Sequence, residues 1–294
     1  MVIYPGEVTA AAATAGADLA RVRHGFDPTR RLGCGNMGCV WASSRPGVVV
    51  KLTTDWDEAA FAAWATGKRL PGAGVVRYHA VFHVGRFGNA GHHVWALWRD
   101  AIRPLESTAS PGDAQAALAG AQAAHGDLQR ALHLVGTSRY FDLEPWRQAY
   151  YHLEKGEVAE LSALRSTPPD EVVAMARAGR PARGPGGRRI ARIRKALLAY
   201  EGALDRLLDM PMAAALGTTL LHLSGRNIWF GDLKLDNLGR RWLPPHDLVL
   251  HDAAPDLALE PLDADAIPGL PTSPAPPGRR WLRTSRRPRE RRAR

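Results

Sequence analysis

The chain has 294 residues, enough for one large domain or two lobes with a sizeable core. Its 45% hydrophobic content suits a globular protein, and no window holds the roughly 18 to 20 continuous apolar residues that a membrane span needs. The net charge of +10 is local, because residues 268–294 carry nine arginines against one glutamate and leave only +2 on the body. The basic character therefore belongs to a tail and not to a nucleic-acid surface covering the whole protein.

A Pro/Arg-rich segment of this kind cannot bury enough apolar surface to fold alone. Residues 266–294 are expected to be a disordered tail, with RNA, DNA or another anionic surface as its candidate partner. The two cysteines, Cys34 and Cys39, give no disulfide framework of the secreted type. The first 20 residues carry Glu7 and Asp18 and lack a basic start followed by an apolar run, so they do not read as a secretory signal. The expected location is the cytoplasm.

Residues 1–24 form an Ala-rich extension with no visible chemistry. From Arg30 the pattern gives strand, Gly-rich turn, strand, a tight turn at Arg45-Pro46-Gly47, a Val-rich strand ending at Lys51, and a helix from about Asp55 to Thr66. Gly33, Gly35 and Gly38, followed by Val40, make the pattern GxGxxGxV. A dinucleotide-binding fingerprint has the same glycines but runs from strand into helix. Here a second strand follows, so the glycines sit in a hairpin, a context that favours a flap whose backbone closely approaches phosphates. Lys51, on the next strand, is where a cation could reach back under that flap. Glu58 is its first candidate partner and Asp57 its second. Cys34 and Cys39 flank the turn, so an oxidised pair would stiffen the hairpin.

Residues 75–84 and 92–99 read as two more strands, completing a five-stranded antiparallel sheet with one helix. Histidines 79, 83, 92 and 93 lie in these strands, where a four-residue spacing spreads ligands over about 13 Å, too wide for a zinc site. Asp100 to Leu105, where an apolar strand gives way to a polar, Pro-containing link, reads as the connection to a second lobe. From 112 to about 222 the periodicity turns helical. A segment runs from Ser110-Pro111 to Leu134, Thr167 is expected to cap a helix starting at Pro168-Pro169-Asp170, and 181–189 is expected to be a loop. An amphipathic run with Ile190, Ile193, Leu197 and Leu204 follows, then an apolar helix over 212–223.

That helix delivers the chain into GDLKLDNLGR, residues 231–240. Asp232, Lys234 and Asn237 stand at the offsets of a phosphoryl-transfer loop, with one carboxylate to orient a nucleophile and one amide to hold a metal. The apolar strand LVLHD then ends in Asp252. A carboxylate at a strand end beside a metal-binding Asn is the arrangement that holds Mg²⁺ between triphosphate oxygens.

In this order, residues 30–260 resemble the eukaryotic-like protein kinase superfamily, in a divergent bacterial or phage-type form. The resemblance implies an α+β, bilobal fold, with an N-lobe over 25–104 and a mainly helical C-lobe over 105–265. It implies ATP and Mg²⁺ as cofactors. Gly33, Gly35, Gly38 and Val40 would cover the phosphates and Lys51 bind them, with Glu58 as ion-pair partner. Asp232 would orient the acceptor hydroxyl, Lys234 neutralise phosphate charge, and Asn237 and Asp252 hold the metal. The implied acceptor is a protein Ser/Thr, toward which Lys234 points, or a small hydroxylated compound such as an antibiotic or sugar, toward which a reduced lower lobe points. Phe230 and Gly231 stand where the family has His and Arg, Ala253-Ala254 replace Phe-Gly, and no Ala-Pro-Glu-like segment follows. These departures keep open a second class, a catalytically silent nucleotide-binding module that docks partners.

Overall fold

The Val-rich and aromatic stretches at the front of the chain pair edge to edge, because their apolar residues alternate or run together over strand lengths. This computed structural model describes residues 26–35, 37–87, 91–105, 112–136, 155–179, 183–241, 247–251, 253–259 and 262. Five strands, β1 (Phe26–Cys34), β2 (Gly38–Ser43), β3 (Val48–Thr53), β4 (Tyr78–Phe87) and β5 (His92–Asp100), form one antiparallel sheet in the order β1-β2-β3-β5-β4. On one face Cys39, Trp41, Val50, Leu52, Val94, Ala96 and Trp98 pack into a buried cluster. The register sets Lys51 opposite Val40 on one side and Leu97 on the other, so strand alternation turns Lys51 to the other face.

Helix α1 (Trp56–Ala65) starts at Asp55, whose carboxylate accepts from the amides of Asp57 (2.9 Å) and Glu58 (3.3 Å), an N-cap. Beyond β5 the chain leaves the sheet through β6 (Ile102–Pro104). β6 pairs with β8 (Leu238–Arg241), and β8 with β9 (Leu248–Leu250). β7 (Ile228–Trp229) pairs with β10 (Leu257–Ala258). The other helices are α2 (Asp113–Leu132), α3 (Lys155–Leu164), α4 (Pro169–Ala178), α5 (Gly184–Asp205) and α6 (Ala214–Gly225). The fold is α+β.

Packing divides the chain into two compact units, Met1–Gly126 with Leu198–Thr272, and Asp127–Leu197 with Ser273–Arg294. In the first, α6 is fastened to the turn before β4: the Thr219 hydroxyl accepts from the Gly74 amide at 2.7 Å and also bonds the Pro71 carbonyl. In the second, the loop expected over 181–189 is helical from Gly184. Pro185 falls in the first turn, where a missing N–H forfeits no hydrogen bond. Arg189 is 1% exposed and donates to the carbonyls of Ala131 (2.6 Å), Arg130 (2.9 Å) and His133 (3.0 Å) and to Glu157 (3.0 Å). It thereby satisfies carbonyls that the end of α2 leaves open. Pro168, not Thr167, is the residue that precedes α4. No helix among the described residues is long and apolar enough to cross a membrane.

Candidate functional site

β3 is paired along both edges, which fixes the backbone that carries Lys51. Its ammonium lies 2.9 Å from both carboxylate oxygens of Glu58 in the first turn of α1, with side chains 7% and 0% exposed. Charges this deeply buried persist only when paired.

The glycine hairpin is closed by register and by a covalent bond. Gly33 pairs with Val40, Cys34 with Cys39, and the two cysteines form a disulfide, while the Gly35 amide donates to the Gly38 carbonyl at 2.8 Å. The three glycines are not equivalent. A Cβ on Gly38 would overlap the carbonyl oxygen of Leu52, so the β2–β3 pairing itself demands glycine there. At Gly33 and Gly35 a Cβ would meet nothing among the described residues within 4 Å. Their backbone is open to whatever approaches from outside.

In the 231–240 stretch Asn237 closes a short 3₁₀ turn (Leu235–Asn237) and is 7% exposed. Its Nδ2 donates to the Asp232 carbonyl at 2.9 Å, so the amide atom left to meet a cation is Oδ1. The Asn237 carbonyl accepts from the His251 amide at 2.9 Å, and the buried Arg99 guanidinium donates to the His251 carbonyl. Asp232 and Lys234 pair at 3.0 Å with side chains 49% and 53% exposed. In water such a pair adds little stability. Asp252 lies outside the described residues.

The two departures just before Asp232 have structural partners. Phe230 packs edge-on against Phe61 of α1 at 5.3 Å, and Phe61 against Tyr78 of β4 at 6.3 Å. A histidine at 230 would leave polar ring nitrogens in this aromatic contact. The Tyr200 phenol lies 3.3 Å from both the amide and the carbonyl of Phe230, accepting from one and donating to the other. Its burial pushes its pKa well above the ordinary value of 10 and keeps the proton on. The Gly231 amide donates to Asp256 Oδ2 at 2.7 Å. Just before Phe230 in the chain, the Trp229 indole N–H donates to Ser224 Oγ at 2.9 Å, which bonds Glu201 at 2.8 Å.

Phe61, Tyr200, Asp256 and His125 are absent from the site read out of the sequence. For Asp256 a signal existed, a second acid four residues after Asp252; a tyrosine in an amphipathic helix and a histidine in an Ala-rich one carry none. Among the described residues no group of three or more His, Cys, Asp or Glu side chains gathers for a metal ion. No protein-family model matches the chain, and no curated protein matches it.

Proposed function

We propose that the chain is an ATP-dependent phosphotransferase with a bilobal, protein-kinase-like fold, its lobes over 25–104 and 105–265. The observation that carries this reading is the buried Lys51–Glu58 pair. A buried ion pair is rarely more stabilising than an apolar one of equal volume, so its presence on a central strand speaks for a ligand that needs a fixed cation. Two features support it: a hairpin with two glycines that its own packing does not require, and an Asn–carbonyl brace beneath Asp232.

The donor set fits Mg²⁺–ATP by type, a lysine for phosphate and hard oxygens from Asn237 and Asp252 for the metal. When bound, that group supplies the phosphoryl to be transferred and neutralises its charge. Lys51 holds phosphate oxygens, the Gly33–Gly38 backbone covers them and excludes water, Asp232 orients the acceptor hydroxyl and takes its proton, and Lys234 offsets charge at the transferring end. The acceptor is a protein Ser/Thr, on the strength of Lys234 beside Asp232; a small hydroxylated compound is the alternative. The Arg-rich tail, 266–294, serves an anionic partner.

The test is an ATP-consumption assay across peptide and small-hydroxyl pools. Asp232→Ala should lower turnover by about 100-fold or more, the range lost with a general base, while ATP affinity is kept. Equal activity in that variant would sink the reading. The substitutions around Phe230 and Ala253 favour a second reading, a silent nucleotide-binding module. Thermal stabilisation by ATP that requires Mg²⁺ favours an assembled metal site, none at all favours the silent module, and turnover excludes it.

A further inference from the structure

Position 231 is closed to any side chain. A Cβ there would stand 2.5 Å from Nδ1 and 2.7 Å from Cε1 of His125, and 3.0 Å from Oδ2 of Asp256. In the kinase-like pattern this position belongs to an arginine. Here the space around it is filled from two distant segments. His125 comes from α2, is 4% exposed, and has its ring 6.4 Å from that of Tyr200. Asp256 immediately precedes β10, where pairing of Leu257 with Trp229 brings its carboxylate onto the Gly231 amide.

His125 Nε2 is buried and has no hydrogen-bond partner among the described residues. An apolar side chain would fill the same space without stranding a ring nitrogen, so packing alone does not explain a histidine here. Tyr200 holds both polar backbone groups of Phe230, and Asp256 holds the amide of Gly231. The peptide leading into Asp232 is thus gripped from α2, from α5 and from the segment before β10.

We propose that His125 and Asp256 are positioning residues that together replace the loop arginine. Asp256 anchors the Gly231 amide, and His125 together with Asp256 fills the space on the side where a Cβ of residue 231 would stand, so that the backbone leading into Asp232 is held in one course. The inference rests on the phosphotransferase reading above. Neither residue is assigned a contact with nucleotide or acceptor; both act through the backbone of residue 231.

The experiment is a substitution cycle on the full chain, read by kcat, KM for ATP and thermal midpoint. Gly231→Ala should lower kcat about 100-fold, the effect of a misplacement near 1 Å, with KM for ATP within about threefold of the parent. Adding His125→Ala should restore at least about tenfold of that loss, because the new methyl enters the space the ring vacates. Asp256→Ala should lower kcat in the same manner. Asp256→Asn keeps an oxygen acceptor for the Gly231 amide and should regain most of the activity. A double variant no better than Gly231→Ala alone overturns the proposal, as does Asp256→Asn no better than Asp256→Ala. Should Gly231→Ala fail to fold, the Asp256 pair decides. If the parent consumes no ATP with any acceptor, the phosphotransferase reading fails by itself. The thermal midpoints then decide whether His125 and residue 231 are coupled, and additive shifts overturn the contact.

Discussion

Lys51 and Glu58 would lose more by being parted than they gain by being together, since each alone would be an uncompensated charge in the core. Lys51→Met is expected to destabilise the protein by about 3–5 kcal/mol in urea denaturation, the range for breaking a buried pair. Combining it with Glu58→Leu should recover most of that stability but no ATP turnover; turnover in the double variant would make the pair purely structural. A second expectation concerns His125. Burial lowers its pKa below the ordinary 6.5, against an opposing pull from Asp256, and burial likewise lowers His93 and His133. With folded values depressed, the unfolded chain binds protons that the native state refuses as pH falls past 6.5, so these groups favour the native state above that pH and lose this contribution below it. The thermal midpoint should fall between about pH 7 and pH 5.5, and less steeply in His125→Gln. Lys51, Asp232 and Asn237 could be singled out in the sequence because their types and order suit the proposed phosphoryl transfer. His125 and Tyr200 were not, because only packing between segments far apart in the chain brings them to residues 230 and 231, and for Asp256 the one signal was its nearness to Asp252.

The β1–β2 hairpin shows what an element can hide behind a motif. GxGxxGxV treats its three glycines alike, yet Gly38 serves the fold and Gly33 and Gly35 do not. Gly38→Ala should therefore lower the thermal midpoint by separating β2 from β3. Gly33→Ala should leave the midpoint unchanged and raise KM for ATP, because it adds bulk where phosphates would lie. The Cys34–Cys39 disulfide makes the hairpin a covalent loop. A flap ordered in advance binds at lower entropic cost, so a dithiol reductant should raise KM for ATP with kcat steady. An unchanged KM would leave the disulfide as a staple only. Strands were the most readable elements, since β-branched and aromatic runs of strand length have few other outcomes. The start of α5 was hidden by Gly184-Pro185-Gly186-Gly187. Those residues usually end helices, but here they occupy the first turn, where their drawbacks are least.

At the scale of the molecule, two packing units share one chain, and nothing local in α2 or α5 marks where one gives way to the other. In the Asp127–Leu197 unit Arg189 is the point on which three helices depend, through the carbonyls at the end of α2, Glu157 of α3 and its own place in α5. Arg189→Leu should strip partners from all of these at once. The expected loss is about 3–5 kcal/mol, seen as faster amide exchange across 155–178. In the other unit, Glu58 and Phe61 sit three residues apart on α1 and so share a face of the helix. One grips Lys51 and the other meets Phe230 at the entrance to the Asp232 loop. A rigid helix cannot release one contact and keep the other in place. If Lys51 binds ATP as proposed, occupancy there and order in the loop would be thermodynamically linked through α1, and the linkage would be reciprocal: whatever settles the loop would tighten ATP binding by the same factor that ATP settles the loop. Nucleotide and acceptor should bind with positive cooperativity, and Phe61→Ala should abolish it while leaving Lys51 and Glu58 paired.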